Sequence, residues 1–502
     1  MSTVIPRRWL ILLAVMLAFL PVVIDMTILH IAVPSLTLAL GASATEVLWI
    51  IDIYPLLMAG LLVPMGTLAD RVGTRRVLLT GLVVFGIASL LAAIASTPVL
   101  LIAARMMLAL GGSMIMPCVL GIIRRTFEDH GERALALGLW GTVGAAGSAL
   151  GPLIGGALLE HFWWGSVFLI NVPIMLVVTP LVCVLLPRME ATSPGTWALG
   201  QALVLIAGIL ALVYGIKAAI GAAHPLGMSV MVTVGGIALL SVFVRLQLRL
   251  PAPMLDLTLF SRPAILAGIV MAVFATASLA GVELTLAQEL QYVLGKTPLQ
   301  AGVFMIPIMA AAAIGGPVAG YVVTLGGLRL VAGTSLALSA VALAFLALTD
   351  LHKPGYIVPA LLALLGLTLS IGLTASSIAI MGAVEASEGG AAGSLEATAY
   401  ELGTGLGITL FGVFMSYVFS RTISLPVDLA APLAERAALS TGDSHFVAQG
   451  LAEPGSIALI RAANEAFLAT HTVLLLTSSA VMGVLGVTVF VMLSGFGRRD
   501  TR

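Results

Sequence analysis

Long apolar runs alternate with short polar connections along the whole chain. An α-helix needs about 20 residues to cross a hydrocarbon layer ~30 Å thick. Read at that length, the runs predict fourteen helices, at approximately 9–34, 47–69, 77–96, 99–122, 134–159, 165–187, 198–218, 226–246, 264–290, 300–322, 328–348, 355–381, 395–419 and 471–494. The pattern is that of an all-α membrane protein with fourteen transmembrane helices. An even number puts both termini on one face. Arginines crowd the connections of that face, among them Arg7, Arg8, Arg71, Arg75, Arg76, Arg124, Arg125, Arg133, Arg245, Arg249 and Arg329, whereas the other face receives Lys217, Lys296, Lys353, Arg421, Arg436 and Arg461. Cytoplasmic connections carry the excess of Lys and Arg, so both termini are expected in the cytoplasm. Arg105 is then the one basic residue left clearly inside a span.

Two connections are long. Residues 245–263 are basic and proline-punctuated, as expected of a cytoplasmic link between two halves. Residues 420–470 form an outer loop whose stretches Ala430–Leu439 and Ser456–Leu468 read as amphipathic surface helices; a gate and a passive loop fit equally. A weak internal echo relates Gly66–Arg76 to Gly320–Arg329. It suggests an N-terminal six-helix bundle over 1–190, two inserted helices over 191–250 and a C-terminal six-helix bundle over 251–502.

Composition narrows the class. With 60% hydrophobic and 9% charged residues and a mean hydropathy of +1.15, the chain is far from the ~25% charge of soluble domains. Arg7 and Arg8 before an apolar run resemble a signal peptide, but the run is too long and lacks a small-residue cleavage site, so it is expected to remain as the first span. Cys118 and Cys183 fall in apolar segments and read as packing residues without a disulfide. Gly295-Lys296-Thr297 looks like the end of a phosphate loop, yet position 290 is Leu where its first glycine belongs, so ATP is not the expected energy source. The metal and nucleophile motifs H-E-x-x-H, paired C-x-x-C and G-x-S-x-G are missing. No enzyme, metal, cofactor or nucleic-acid partner is expected.

The candidate chemistry lies in acids at membrane depth. A carboxylate there is costly unless protonated, paired or facing a wet cavity, so Asp25, near the middle of the first run, is a functional candidate by default. A simple helix-to-helix hydrogen bond is the plainer alternative. Asp52, Glu283, Glu289, Glu396 and Glu401 also fall within or at the edge of predicted spans. The surplus of acids favours cations along a transport path, and burial raises a carboxylate's proton affinity. One site neutralised by a proton or by a cation, but not by both, is an antiport device. Glu396 and Tyr400 share a helical face, while Glu401 is turned about 140° from Glu396; Glu283 and Glu401 are preferred over Glu289 and Glu396, and an interfacial, water-touching place remains open for Asp52 and Glu289. Trp49, Tyr54, Trp140, Phe274, Tyr292, Tyr400 and Phe411 are candidates for stacking a cation, with packing or interface anchoring as the alternative. His30 is either a proton carrier or a satisfied polar contact.

Two motifs bear on conformational change. Gly66-Thr-Leu-Ala-Asp70-Arg71-Val-Gly73-Thr-Arg75-Arg76 joins the second and third runs, with small residues for close helix approach and Asp70 placed to accept from a neighbouring helix start. In the fifth run, Gly141, Gly144, Gly147, Gly151-Pro152 and Gly155-Gly156 form a groove with a bend. The first segment resembles the G-x-L-A-D-R-x-G-x-R/K loop of the major facilitator superfamily, and the second resembles the antiporter motif of its drug/proton exporters. Asp25-Met-Thr27 to Pro34, Phe168-Leu-Ile-Asn171-Val-Pro173 and Leu294-Gly295 to Pro307 narrow the resemblance to the fourteen-helix drug/proton antiporters, over essentially the whole chain. His30 stands where that family commonly has Asn, and Arg105 is followed by Met-Met rather than the usual Gln and Gly. The resemblance implies substrate and proton handling at Asp25 and Asp52, and for Arg105 either proton transfer or the holding of a carboxylate. It further implies a monomer in the bacterial inner membrane that exports lipophilic cations, quaternary and bisquaternary ammonium compounds among them, against protons. A facilitator of an ordinary metabolite is the alternative.

Overall fold

The computed structural model describes residues 7–187, 199–220, 226–251, 253–351, 355–385, 389–426 and 428–495. Among them, 14 helices are long and apolar enough to cross a membrane: Arg7–Leu40, Ala44–Val72, Thr74–Ala93, Pro98–Thr126, Gly131–His161, Ser166–Leu185, Leu199–Ala218, Gly227–Arg249, Pro263–Val293, Pro298–Gly326, Leu328–Leu348, Ile357–Met381, Gly389–Thr422 and Gly455–Met492. They are called the first to fourteenth spans below. Spans one to six pack mainly on one another, as do spans nine to fourteen, and seven and eight pack on each other; the two larger groups are called the bundles below.

Local chemistry fixes the ends. The turn into the second span uses Gly41 at φ 60° and a reciprocal cap, in which the Ser43 hydroxyl accepts from the Glu46 N–H while the Glu46 carboxylate accepts from the Ser43 N–H at 2.9 Å. Gly73 at φ 105° lets the second span stop and the third begin within one residue. Thr97-Pro98 and Thr297-Pro298 each place a capping hydroxyl before a proline at the first helical position, where the missing N–H is no loss.

The ties between the bundles fall from mid-depth toward the end that carries residues 423–454, called the loop end here. The second span lies on the thirteenth, the fifth on the start of the tenth, and the first on the ninth, where the Gln291 side chain donates to the Ile31 carbonyl at 3.0 Å. Two short helices, Ala431–Ala437 and Thr441–Gln449, cover this end. They are pinned to the turn between the first two spans. Asp443 accepts from the Ala44 N–H at 3.1 Å, and Arg436 donates to the Gly41 carbonyl at 2.8 Å while pairing with Asp443 at 3.3 Å. Burial holds the Asp443 carboxyl above the ordinary aspartate range and the His445 imidazole below its own.

Three expectations are corrected. Ser456–Leu468 is not a surface helix: the fourteenth span starts at Gly455 and runs through it unbroken, because its apolar face packs on the thirteenth span through Phe467 and Ala463. Lys217 is not in a connection: it lies inside the seventh span and is 3% exposed. Cys183 is exposed rather than packed, with the Arg75 guanidinium donating to its carbonyl at 2.6 Å.

Candidate functional site

The acids occupy different depths, and most have a partner. At mid-depth Asp25 is fully buried against the Arg105 guanidinium of the fourth span. Arg105 also donates through Nε to the Ile50 carbonyl at 3.1 Å and lies 4.6 Å above the Tyr54 ring. Pro55, having no N–H, leaves the adjacent Ile51 carbonyl without its helical donor, and the Ile50 carbonyl, with two lone pairs, accepts from Arg105 beside that break. Tyr54 is within electrostatic reach of both Asp25 and Glu401, so the two bundles bring one acid each to this ring. Glu401 is 3% exposed, and it has no ion-pair or hydrogen-bond partner among the described residues; its Oε2 is buried and unsatisfied. A buried carboxylate without a partner is costly when charged, so this position favours a proton or an incoming cation.

Toward the loop end, Asp52 pairs with Lys217 at 2.6 Å and accepts from the Thr409 hydroxyl at 2.5 Å. Glu283 faces His30 across the bundle boundary, Oε2 to Nδ1 3.5 Å, with both His30 nitrogens lacking a hydrogen bond. Glu289 pairs with His471 of the fourteenth span. Nearer the other end, Glu396 accepts from its own-face neighbour Tyr400 at 2.6 Å. The expectation of Arg105 as the one basic residue clearly inside a span is therefore corrected. Lys217, Arg105 and the two imidazoles each meet a carboxylate, and Glu401 alone among the six acids is left without a contact.

The aromatic candidates divide by what they touch. Trp49 and Tyr54 already face the protein's own cations, Lys217 at 3.7 Å and Arg105 at 4.6 Å. Trp140 packs on Phe19 at 5.3 Å, and Phe411 fills the space that a side chain on Gly281 would need. Phe274 is exposed. Tyr292 stacks on His445 at 4.9 Å and lines a cavity of about 70 Å3 at the loop end, with Thr37, Leu48, Gly412, Ser416 and Gly442.

The conformational motifs are at both ends. Asp70 pairs with Arg125 at 3.0 Å, tying the second span to the fourth, while Gly66 sits against Pro117 and Arg71 is exposed. In the fifth span, Gly147, Gly151 and Gly155 lie on Val23, Thr27 and Ile28 of the first, and the Thr27 hydroxyl donates to the Ser148 carbonyl at 3.0 Å beside the Pro152 bend. Gly156 meets the other bundle: a Cβ there would be 2.6 Å from the Pro298 carbonyl and 2.8 Å from the Leu299 Cα. Backbone has no room to yield at such distances, so Gly156→Val is expected to part the bundles at the loop end. Faster labelling of Ser416→Cys by a membrane-impermeant maleimide would show it, and an unchanged rate would contradict it.

Sequence reasoning missed Lys217, Thr409 and His471 as partners. Lys217 and His471 stand where apolar runs fade into loops, and hydropathy alone draws the boundary at the charge itself. The Trp49 to Asp52 spacing, i and i+3 on one helical face, was the available signal for a cation between them.

Comparison with known proteins matches these features. The Major Facilitator Superfamily profile fits residues 15–408. The methyl viologen resistance protein SmvA of Salmonella typhimurium is 46% identical over 98% of this chain and 100% of its own length. The multidrug efflux pump LfrA of Mycolicibacterium smegmatis is 36% identical over 95% and 96%. Among solved structures, a bacterial homolog of the human lysosomal transporter Spinster, inward-facing and unoccupied, superposes with a TM-score of 0.70 at 16% identity over 97% of this chain and 98% of that one. Fold, span count and relatives agree on a multi-pass transport protein of the bacterial inner membrane, and the chain belongs to the major facilitator superfamily.

Proposed function

We propose that the protein is a proton-coupled antiporter that exports lipophilic cationic drugs and dyes, including quaternary and bisquaternary ammonium compounds of the methyl viologen type, by alternating access. The observation that carries the reading is Glu401, a buried acid with no partner among the described residues, within electrostatic reach of the Tyr54 ring against which Arg105, the partner of Asp25, is packed. Uncompensated negative charge at mid-depth is stabilised by a proton or by a cation, and the two compete. Each proton moving inward through ~100 mV contributes about 2.3 kcal/mol before any pH gradient is added. SmvA and LfrA, by name a methyl viologen resistance protein and a multidrug efflux pump, support the cargo class.

In this reading both termini are cytoplasmic, the loop end is outside, and the unit is a monomer. The division into 1–190, 191–250 and 251–502 gives two rocking bundles and an inserted pair. The ties from Gly156 to Pro298 and from Gln291 to Ile31 join the bundles toward the loop end, which supports a state that receives cargo from inside. Everted vesicles energised to an acid interior are expected to accumulate ethidium and methyl viologen, and an uncoupler is expected to collapse both gradients. Uptake that ignores the uncoupler, or preference for an uncharged metabolite over either cation, would overturn the reading.

A further inference from the structure

The Asp52–Lys217 contact has a composition that an ordinary structural ion pair lacks. The Lys217 ammonium lies over the face of Trp49, 3.7 Å from the ring centre, with the Asp52 carboxylate 2.6 Å away. Thr409 fixes the same carboxylate oxygen from the thirteenth span. Aromatic face plus carboxylate is the chemistry that recognises ammonium groups, because the ring quadrupole and the anion both reward a cation stripped of water. Asp52 Oδ1 is buried and unsatisfied, so the carboxylate has capacity for a further donor. Leu48 and Gly412, which line the loop-end cavity, are four and three residues from Asp52 and Thr409, one helical turn away. The three partners come from three different units: the first bundle, the inserted pair and the second bundle.

We propose that Trp49, Asp52 and Thr409 form an ammonium-binding cage near the exit, that Lys217 is its resident occupant, and that cationic cargo leaving toward the loop end exchanges with Lys217. Lys217 is then a tethered stand-in for cargo. It keeps Asp52 charge-balanced whenever the carrier is empty, which gives the inserted helices a part in the cycle instead of a spacer's role. The passage of cargo rests on the export reading above; the ammonium chemistry of the cage does not.

The test uses the purified full-length protein and n-butylammonium, which reproduces the amputated side chain. Lys217→Ala empties the cage. The amine is expected to raise the melting temperature of this variant in a saturable way, and to bind it about tenfold more tightly than it binds the Lys217→Ala/Trp49→Leu double variant. Wild type and Lys217→Arg, whose cage is filled, are expected not to respond. If Lys217→Ala can be recovered only when the amine is present during expression and purification, the cage is supported. Failure to recover it even with the amine would overturn the proposal, as would an amine response that survives in Lys217→Ala/Asp52→Asn. Binding of tetraphenylphosphonium to wild type, measured in parallel, reports on the export reading separately: its loss would sink that reading while leaving the amine result to stand or fall alone.

Discussion

Asp25→Asn is expected to abolish proton-coupled export, with vesicle uptake of ethidium falling to the level of empty membranes. Asp25 is fully buried and its carboxylate is the counter-charge of Arg105. Asparagine keeps the shape but strands a guanidinium in a site shut off from water, and breaking one side of a buried pair typically costs about 3–5 kcal/mol. The freed Arg105 also adds a net positive charge beside Tyr54, where cargo would arrive, so cation binding suffers as well as stability. Asp25→Glu, which keeps the charge, is expected to retain partial uptake and separates lost chemistry from lost fold. Wild-type uptake by Asp25→Asn would remove this residue from the mechanism.

Glu401→Gln is expected to behave differently although the acid is equally buried. Glu401 has no partner to strand, so the variant should fold with a melting temperature at or above that of wild type, since a costly unpaired carboxyl group is gone. Its affinity for a monovalent lipophilic cation is expected to fall about a hundredfold, the equivalent of one charge-assisted contact of about 2.7 kcal/mol. Scanning calorimetry checks the first effect and equilibrium binding of tetraphenylphosphonium the second. Full affinity in Glu401→Gln would place the cation elsewhere.

The contrast between these two acids marks what the sequence revealed and what it concealed. Span number and the approximate span limits are local matters of hydropathy and helix length, so they were legible. The motif around Gly66–Arg76 and the glycine groove of the fifth span were legible too, because small residues at fixed spacing mean close approach whatever the neighbour is. Pairing was not. Asp25 and Glu401 look alike in a one-dimensional reading, as acids amid apolar residues, and only the fourth span crossing the first gives Asp25 its arginine while denying Glu401 one. Lys217 was concealed for another reason: a lysine one residue before a span's end reads as the start of a loop unless the carboxylate and indole that hold it inside are known. The fourteenth span was shortened for the same reason at its other end, where Glu465 and Arg461 interrupt an apolar face that the helix nonetheless keeps.

The central claim is that a proton and a cation take turns on the same buried acid. Proton release on cation binding tests it most directly. Tetraphenylphosphonium added to the purified protein in weakly buffered detergent at neutral pH should acidify the solution in wild type, and the release should disappear in Glu401→Gln under concentrations that still saturate the variant. Equal proton release from both proteins, or cation binding to wild type with none, would contradict the account.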